Sequence, residues 1–331
     1  MCLSSIYMYN YHNIQLMIKK IIIVGSGNSG SGAIFDYLAG QKKNLPFLNG
    51  NEFRIIQDPD GLYDLYINNY TNFSINNSAS SFERFIKTIK TFASKQKSSS
   101  LIIEALESFL KQVISINYSG LPEFYRKKLN LNLKINFYLK RIIFKKKINE
   151  LKIFNMTVPV NEKKFLEEAE LFLNNLIKII HNDFSNYQNI IFNQSGNFWN
   201  INDSTQFFGK RKIIIVDRDP RSIYWSFKRT DAFSYPGNDV DVFIEWYKKT
   251  QNIFKKNFKK NKFILKINYE NFLINYYRQS KLINKFIDLD INEVSSFDYK
   301  KSYQNIYKAK YNLSKKDLKK IEKKLSKYLK W

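Results

Sequence analysis

Two stretches of the chain have residue types and spacing that suit the binding of phosphate. The first is the segment GSGNSGSG at residues 25–32, which follows the apolar residues 21–24. Small residues let backbone amides approach a phosphate closely, and the positive end of a following helix adds to the attraction. We therefore predict an anion site with these members: Gly27, Asn28, Ser29, Gly30, Ser31 and Gly32.

The glycine-rich segment differs from the loop of ATP and GTP hydrolases, which reads G-x4-G-K-[ST]. Gly25 and Gly30 have the right separation, but Ser31 replaces the lysine and Gly32 replaces the residue that would hold magnesium. The segment thus favours a single phosphate held without a metal. A tight glycine turn without a ligand is the alternative interpretation, and a P-loop kinase for a small molecule is the rival enzyme.

The second stretch reads IIIVDRDPRSIYWS and covers residues 213–226. Its apolar part predicts a buried strand, and Pro220 favours the start of a helix with Asp219 as the cap. Arg218 then stands at the carboxyl end of the strand, where α/β sheets bind ligands, and Ser226 lies on the same helix side as Ser222. An arginine and a serine hydroxyl together suit a terminal phosphate, whereas a salt-bridged surface arginine is the plainer alternative.

Four apolar segments alternate with amphipathic ones along the chain, and they are predicted to place these residues. The expected strands are residues 21–24, 190–193, 212–217 and 263–267, and the expected helices include 31–38, 80–95 with Ser81 as N-cap, 100–115, 161–180, 240–256, one from about Asn271 and one capped by Ser314. This alternation predicts a three-layer P-loop-like α/β fold with a central, mostly parallel sheet flanked by helices.

No internal repeat and no Pro/Gly linker divides the chain. We predict a single domain over residues 20–331 with a helical insertion at about 80–185, of which the Lys-rich residues 120–160 form part. Residues 1–19 are interpreted as an extension, because residues 1–16 have neither the basic nor the apolar region of a signal peptide and Met17 is a natural start before the first strand.

In these stretches the chain resembles the PAPS-dependent sulfotransferase family, where PAPS is 3′-phosphoadenosine 5′-phosphosulfate. That family has a 5′-phosphosulfate loop like residues 25–32, a 3′-phosphate element of form R-x7-S like Arg218 with Ser226, and a late strand that runs into a Tyr-Glu-Asp-Leu-type helix, like residues 263–272. The resemblance covers about residues 20–55 and 190–330. It implies a sulfotransferase with PAPS as sulfuryl donor, PAP as product and no metal.

The resemblance also implies the catalytic groups. The carbohydrate branch uses a glutamate about two dozen residues past the loop core, where Glu52 stands, and an ordinary solvated carboxylate is the alternative. The family usually has Lys or Arg where this chain has Asn28, so the missing cation is expected from Arg54, Lys42 or Lys43, unless the protein is a nucleotide-binding pseudoenzyme. His181 could be the base of the other branch but is interpreted as a helix-end histidine.

Three weaker groups complete the candidates. Lys301 and Ser302, with Lys300 and Asn305, match in position the basic loop that the family closes over the 3′-phosphate, although a solvated lysine-rich loop is as good an interpretation. The amides of Gln194, Asn200 and Asn202 beside Trp199 suit sugar binding, and residues 231–235 could line an acceptor cleft.

Composition limits the other classes of function. The single cysteine and two histidines exclude a disulfide framework, a cysteine zinc site and a histidine-rich metal site. The net charge of +25 suggests a nucleic-acid module. However, Lys, Asn, Ile, Tyr and Phe are abundant together, as AT-rich codon drift produces, and no nucleic-acid fold signature is present. We therefore expect no nucleic-acid partner.

The acceptor hydroxyl is expected on a saccharide or a glycolipid, such as a bacterial surface polysaccharide. No apolar run of about 18 residues exists, so no transmembrane segment is predicted. The near absence of cysteine favours a cytoplasmic protein or one at the cytosolic face of a membrane, and peripheral membrane contact is left open.

Overall fold

The computed structural model describes residues 18–120, 131–143, 145, 154–230 and 234–331. Residues 1–17 of the predicted extension at 1–19 and residues 231–233 of the acceptor-cleft candidates at 231–235 lie outside this described part. The strands are β1 (Lys19–Gly25), β2 (Asn44–Pro46), β3 (Ile114–Gly120), β4 (Phe154–Pro159), β5 (Asn189–Asn193), β6 (Arg211–Asp217) and β7 (Ile264–Asn268).

The α-helices follow the same chain order. They are α1 (Ser31–Ala39), α2 (Leu62–Tyr66), α3 (Ile75–Ala93), α4 (Ser99–Val113), α5 (Leu131–Ile142), α6 (Glu162–Ile180), α7 (Ile201–Ser204), α8 (Pro220–Thr230), α9 (Val240–Asn257), α10 (Tyr269–Ile274), α11 (Tyr276–Phe286), α12 (Tyr299–Tyr303), α13 (Lys308–Asn312) and α14 (Lys315–Lys324). A π turn covers Ile67–Thr71.

The described chain divides into two compact units, one formed by residues up to Arg54 together with Asp183–Trp331 and the other by Ile55–Asn182. The first unit contains a five-stranded sheet in the order β2-β5-β1-β6-β7, and every neighbouring pair is parallel. This sheet confirms the predicted α/β class. All five carboxyl ends therefore lie at one edge, and all five amino ends at the other.

The central strands are continuous apolar runs because both of their faces are covered. Ile21 and Ile23 of β1 belong to a core cluster with residues of α1, α10 and α11, whereas Ile22 and Val24 point to the opposite face and are equally buried. A second cluster joins α8, α9, α13 and α14. Since side chains on both faces of β1 are buried, the sheet is covered on two sides.

The edge strand β2 was missed by sequence analysis. It has only three residues and ends in Pro46, which lacks the N–H that a central strand needs. Its pairing to β5 sets Asn44 beside Asn189, and the Asn189 amide donates to the Asn44 side chain at 2.8 Å.

The second unit has a helical core with an aromatic centre. Phe109 of α4 stacks on Phe172 of α6 at 5.0 Å between ring centroids, and Phe85 of α3 packs against both rings edge-on. Strands β3 and β4 form an antiparallel pair on either side of the Lys-rich segment, which sequence analysis expected to be helical or an insertion.

Two N-cap predictions have different outcomes. Ser314 caps α14 by accepting from the Asp317 N–H, as predicted. The predicted cap Ser81 is wrong: α3 starts at Ile75, and Ser74 accepts from Asn77 N–H at 3.1 Å. Ser81 instead lies buried within the helix and donates to the Ser78 carbonyl. The five small polar residues in the first two turns, Asn76, Asn77, Ser78, Ser80 and Ser81, obscured the true start in the sequence. No helix in the described ranges is both long and apolar enough to cross a bilayer.

Candidate anion-binding site

The glycine-rich segment links β1 to α1 at the carboxyl edge of the sheet. Gly30 has a φ of 88° and Asn28 a φ of 57°, so both lie in the left-handed region that glycine and asparagine adopt most readily. The Ser29 N–H donates to the Ser26 carbonyl at 3.0 Å and closes the turn. These conformations explain the residue types at both positions.

The turn leaves hydrogen-bonding groups available at the start of α1. No side chain among the described residues caps this helix, and its first turn has no acidic residue. Ser29 is fully buried, and its Oγ has no hydrogen-bond partner among the described residues. A buried hydroxyl in this state costs free energy, which a phosphate or sulfate oxygen would recover. Helix start and hydroxyl therefore both favour an anion.

Gln194 braces the loop from the end of β5. Its side-chain oxygen accepts from the Gly25 N–H at 3.3 Å, and its nitrogen donates to Ser31 Oγ at 2.8 Å. Sequence analysis interpreted this amide as a sugar-binding group. The structure instead uses both ends of it within the loop, because the left-handed φ of 51° at Gln194 turns the chain next to Gly25.

Arg218 connects the loop with the second predicted stretch. Its Nη1 donates to the Asn28 carbonyl at 3.0 Å and to Ser226 Oγ at 3.2 Å. Its Nε is buried without a hydrogen-bond partner in the described chain. The two segments, 190 residues apart in sequence, thus meet at one guanidinium group.

Buried groups around Arg218 set its electrostatics. Burial lowers the pKa of Arg218, and nearby Arg229 adds to that lowering, while Tyr269, Glu270 and Asp219 raise it. Glu270 Oε1 lies 4.0 Å from the Arg218 Nε. A buried cation held this loosely gains from an incoming anion that can complete its hydrogen bonds.

Tyr269 forms one wall of the same site. The Arg218 guanidinium lies 4.8 Å from the centroid of its ring, and a Cβ added to Gly30 would come within 2.3 Å of the ring. Sequence analysis quoted Tyr269 and Glu270 only as part of a family pattern and assigned them no contact. Their position directly after β7, at the carboxyl edge, was the available signal.

Glu270 and Asp219 hold the backbone behind Arg218. Glu270 accepts from the Asp219 N–H at 3.0 Å and from the Asn268 amide at 2.8 Å, and burial raises its pKa. Asp219 accepts from the N–H, Nε and Nη2 of Arg221, each at 2.9 Å, and from the Lys330 N–H at 2.8 Å. Arg221 is therefore engaged with Asp219 and helps to hold the backbone, whereas Arg218 is available to bind a ligand.

Glu52 and Arg54 lie one strand away, beyond β2. Arg54 Nη1 donates to Glu52 Oε2 at 2.9 Å, and both side chains are about half exposed. Between them, the Phe53 N–H donates to the Asn193 carbonyl at 3.0 Å, which holds this segment to the carboxyl end of β5. The ion pair therefore belongs to the same sheet edge as the glycine loop.

Tyr235 links the ion pair to the loop. A Cβ on Gly27 would come within 2.3 Å of the Tyr235 ring, so a glycine is required there for this contact. Burial raises the pKa of Tyr235, Arg54 lowers it and Glu52 raises it, so the Tyr235 hydroxyl lies within electrostatic range of the ion pair. The Tyr235 ring stacks on Phe227 at 4.5 Å. Only the tertiary fold brings this tyrosine to the loop.

Lys42 and Lys43 do not belong to this site. They precede Asn44, which pairs with Asn189 at the amino ends of β2 and β5, so both lysines lie at the opposite edge of the sheet. The expectation that one of them supplies the missing cation is therefore wrong, and Arg54 is the predicted cation that the fold places at the carboxyl edge.

The C-terminal candidates lie in a short helix instead of a loop. Lys301 and Ser302 belong to α12, whose cap Asp298 accepts from the Lys301 N–H at 3.2 Å. The chain then turns to α8, where Ser222 Oγ donates to the Ile306 carbonyl at 3.3 Å and Trp225 Nε1 to the Lys308 carbonyl at 3.1 Å. Contact of Lys301 and Ser302 with a phosphate stays a prediction.

The other predicted sugar-binding amides are engaged elsewhere. The Asn257 amide donates to the Asn200 side chain at 2.7 Å, and Asn202 exchanges hydrogen bonds with the Lys259 backbone at 3.0 Å. Both amides fasten the segment after β5 to the segment around the end of α9. These contacts give no support to a sugar site at this place.

Fold and site together define an α/β protein with a candidate anion site at the carboxyl edge of a parallel sheet. No protein-family model matches the sequence, and comparison with curated proteins finds no match. Among solved structures, the chain is similar to the sulfotransferase domain of the Synechococcus PCC 7002 olefin synthase, with 13% identity, a TM-score of 0.41 and coverage of 93% of this chain and 94% of that one.

Two further solved structures are similar at the same level. The sulfotransferase domain from the curacin biosynthetic pathway has 11% identity and a TM-score of 0.40, with 93% of this chain and 97% of that one covered. A sulfotransferase from Mycobacterium avium has 8% identity and a TM-score of 0.39, with 98% and 80% covered.

Proposed function

We propose that this protein is a sulfotransferase that uses PAPS as donor. The observation that carries the proposal is the double contact of Arg218, which donates to the Asn28 carbonyl in the glycine loop and to Ser226 Oγ. A donor with phosphate groups at both ends of its ribose needs two anion sites close together. The loop supplies one, and Arg218 with Ser226 supplies the other.

The polar groups available in the site fit such a ligand. Ser29 Oγ and Arg218 Nε are both buried without a hydrogen-bond partner in the described residues. In this assignment, Ser29 and the amides of residues 30–32 hold the 5′-phosphosulfate, and Arg218 with Ser226 holds the 3′-phosphate. The absence of a loop lysine and of a hydroxyl at Gly32 disfavours ATP with magnesium.

The chemistry is a sulfuryl transfer. When bound, PAPS would supply the sulfur centre, and the acceptor oxygen forms a new S–O bond as the bond to the bridging phosphate oxygen breaks. Glu52 would take the acceptor's proton, and Arg54 and Asn28 face the charge that develops on the departing group. Asn28 brings a hydrogen-bond donor without a charge, so Arg54 is the cation that we assign to this role.

For the acceptor we propose a saccharide or glycolipid hydroxyl, on the strength of the Glu52 position. Transfer of radiolabelled sulfate from PAPS to a panel of oligosaccharides, glycolipids, phenols and steroids tests this choice. Labelling of phenols or steroids without any labelling of sugars would overturn the acceptor class while leaving the sulfotransferase proposal in place.

The donor site is tested by calorimetric binding of adenosine 3′,5′-bisphosphate and of ATP with magnesium. We expect the wild type to bind the bisphosphate and Arg218→Ala to bind it about 10- to 150-fold more weakly, the loss of one charged hydrogen-bonding group. Arg278→Ala, which removes an exposed arginine of α11, is the matched control and should bind like the wild type.

The competing outcomes are distinct. Binding of ATP with magnesium in preference to the bisphosphate would favour the kinase alternative. Binding of neither nucleotide would refute the donor assignment. Bisphosphate binding without transfer to any acceptor would leave a nucleotide-binding pseudoenzyme.

A further inference from the structure

Helix α5 presents an apolar surface to solvent. Several of its large apolar side chains are strongly exposed: Leu131 at 73%, Ile135 at 48%, Leu139 at 45% and Ile142 at 70%, with Ile143 just beyond the helix at 63%. Isolated exposed apolar residues are ordinary, but a contiguous group on one short helix usually marks a surface that binds a partner.

The spacing of these residues places them on one side of the helix. Positions 131, 135, 139 and 142 are separated by four, four and three residues, and at 100° per residue they fall within about 80° of the helix circumference. On the opposite side, Lys140 lies about 180° from Leu131, and the positions of Leu133 and Phe137 fall at about 200° and 240°. The exposed apolar stripe therefore runs along one side of the helix.

The sequence on either side of α5 carries only positive charge between Glu123 and Glu150. Residues 126–149 contain no Asp or Glu, and their basic residues are Arg126, Lys127, Lys128, Lys134, Lys140, Arg141, Lys145, Lys146 and Lys147. The whole chain has 54 basic and 29 acidic residues, so the local bias goes well beyond the general one. Among the described residues, Lys140 and Lys145 are exposed and Lys134 is partly exposed, so the surface combines an apolar stripe with cationic side chains.

We propose that α5 is an interfacial helix that binds the surface of a bilayer containing anionic phospholipids. Apolar side chains enter the boundary between headgroups and acyl chains, and lysines and arginines contact the phosphates. At 12 residues the helix is about 18 Å long, too short to span the hydrocarbon layer, so it lies in the plane of the interface.

Other occupants fit the surface less well. A second copy of α5 would bring two clusters of like charge together, which disfavours self-association. Nucleic acid would pair with the lysines but would leave the apolar stripe in water. Only a surface that is both anionic and apolar can contact the basic residues and the apolar stripe at the same time.

Two apolar side chains are also exposed on β3, the strand that precedes α5 in the chain. Ile116 and Tyr118 are two residues apart on β3, so they share one face of the strand, and both are about half exposed. Helix α5 follows β3 in the chain, within the connection to β4. Strand and helix are neighbours in the sequence, and both belong to the second unit.

The test is co-sedimentation of the full-length protein with vesicles of phosphatidylcholine alone or with 30 mol% phosphatidylglycerol, a fraction of about one lipid in three that matches a strongly anionic membrane. We expect binding to the anionic vesicles only, weakened by added salt. The double variant Ile135→Asp/Leu139→Asp should bind at least about tenfold more weakly. Leu101→Asp, at an exposed apolar residue of α4, is the matched control and should bind like the wild type.

A second variant separates charge from folding. Lys134→Glu/Lys140→Glu keeps the apolar stripe and should also lose binding to anionic vesicles, while bisphosphate binding and the circular dichroism spectrum of both variants stay unchanged. Equal binding of the wild type and both variants would overturn the proposal, as would binding to neutral vesicles alone. Self-association or nucleic-acid binding that is lost in the variants, without vesicle binding, would assign the surface to another partner. These readouts do not depend on the sulfotransferase proposal.

Discussion

Arg218 shows how one side chain can join distant parts of a chain into a site. Its guanidinium contacts the glycine loop, Ser226, the Tyr269 ring and the neighbourhood of Glu270, and its Nε stays without a hydrogen-bond partner in the described chain. Sequence spacing predicted the pairing with Ser226. The contact with the Asn28 carbonyl required the folded chain, because it depends on the left-handed conformation of Asn28.

The first prediction at the residue scale concerns the role of Glu52 as a base. If Glu52 takes the acceptor's proton, Glu52→Gln should lower kcat of sulfuryl transfer by about 100- to 10,000-fold, the contribution of a general base. Binding of the bisphosphate should change little, because Glu52 is not assigned to a phosphate. Steady-state kinetics with a labelled acceptor measure this split.

The control for this substitution is Glu245→Gln, a solvent-exposed glutamate of α9 that pairs with Lys248. It should leave kcat unchanged. A Glu52→Gln enzyme with wild-type kcat would remove Glu52 from the mechanism.

The second prediction concerns Glu270 and the pH dependence of folding stability. Because burial raises its pKa, the unfolded chain releases this proton at lower pH than the folded protein. Its contribution to stability is therefore complete below the ordinary carboxyl pKa and declines as pH rises through the raised pKa of the folded state. Glu270→Gln cannot show this decline.

We therefore expect Glu270→Gln to be destabilised at all pH values, by about 1–3 kcal/mol from its mismatched hydrogen bonds to Asp219 and Asn268. The gap to the wild type should shrink as pH rises from about 4 to 7. Urea unfolding at a series of pH values measures it, with Glu245→Gln as reference. A gap that widens with pH would contradict the raised pKa.

At the scale of elements, the start of α1 depends on one glycine more than on another. Gly30 combines a φ of 88° with the close Tyr269 ring, whereas an added Cβ at Gly32 meets nothing within 4 Å. Gly30→Ala should therefore destabilise the fold by about 1–3 kcal/mol and weaken bisphosphate binding. Gly32→Ala should be tolerated.

Thermal unfolding of the two alanine variants measures the contrast, and calorimetry with the bisphosphate follows the site. Equal midpoints for Gly30→Ala and Gly32→Ala would show that the left-handed turn is not required. The pair is well matched, because the two glycines are two residues apart and receive the same substitution.

At the scale of the whole molecule, the surplus of positive charge is unevenly distributed along the chain. Arg218 and Arg221 lie within the fold and Lys212 and Lys19 pair with Asp288, whereas residues 126–149 carry cations without any acid. General codon drift explains a basic chain. It does not explain the exposed apolar stripe of α5 beside Lys134 and Lys140, which is the basis for the proposed binding to an anionic bilayer.

The sequence by itself determined four of the strands (β1, β5, β6 and β7), the glycine turn and the Arg218–Ser226 spacing, because these depend on local apolar runs, backbone freedom and helix periodicity. The sheet order and the roles of Gln194, Tyr235, Tyr269 and Glu270 were decided only by tertiary structure. Each of these side chains contacts residues that are far away in the sequence. They come together because the five parallel strands place all of their carboxyl ends at one edge of the sheet. Lys42 and Lys43 precede β2, which runs parallel to β5. Both lysines therefore lie at the amino edge of the sheet and not at the site.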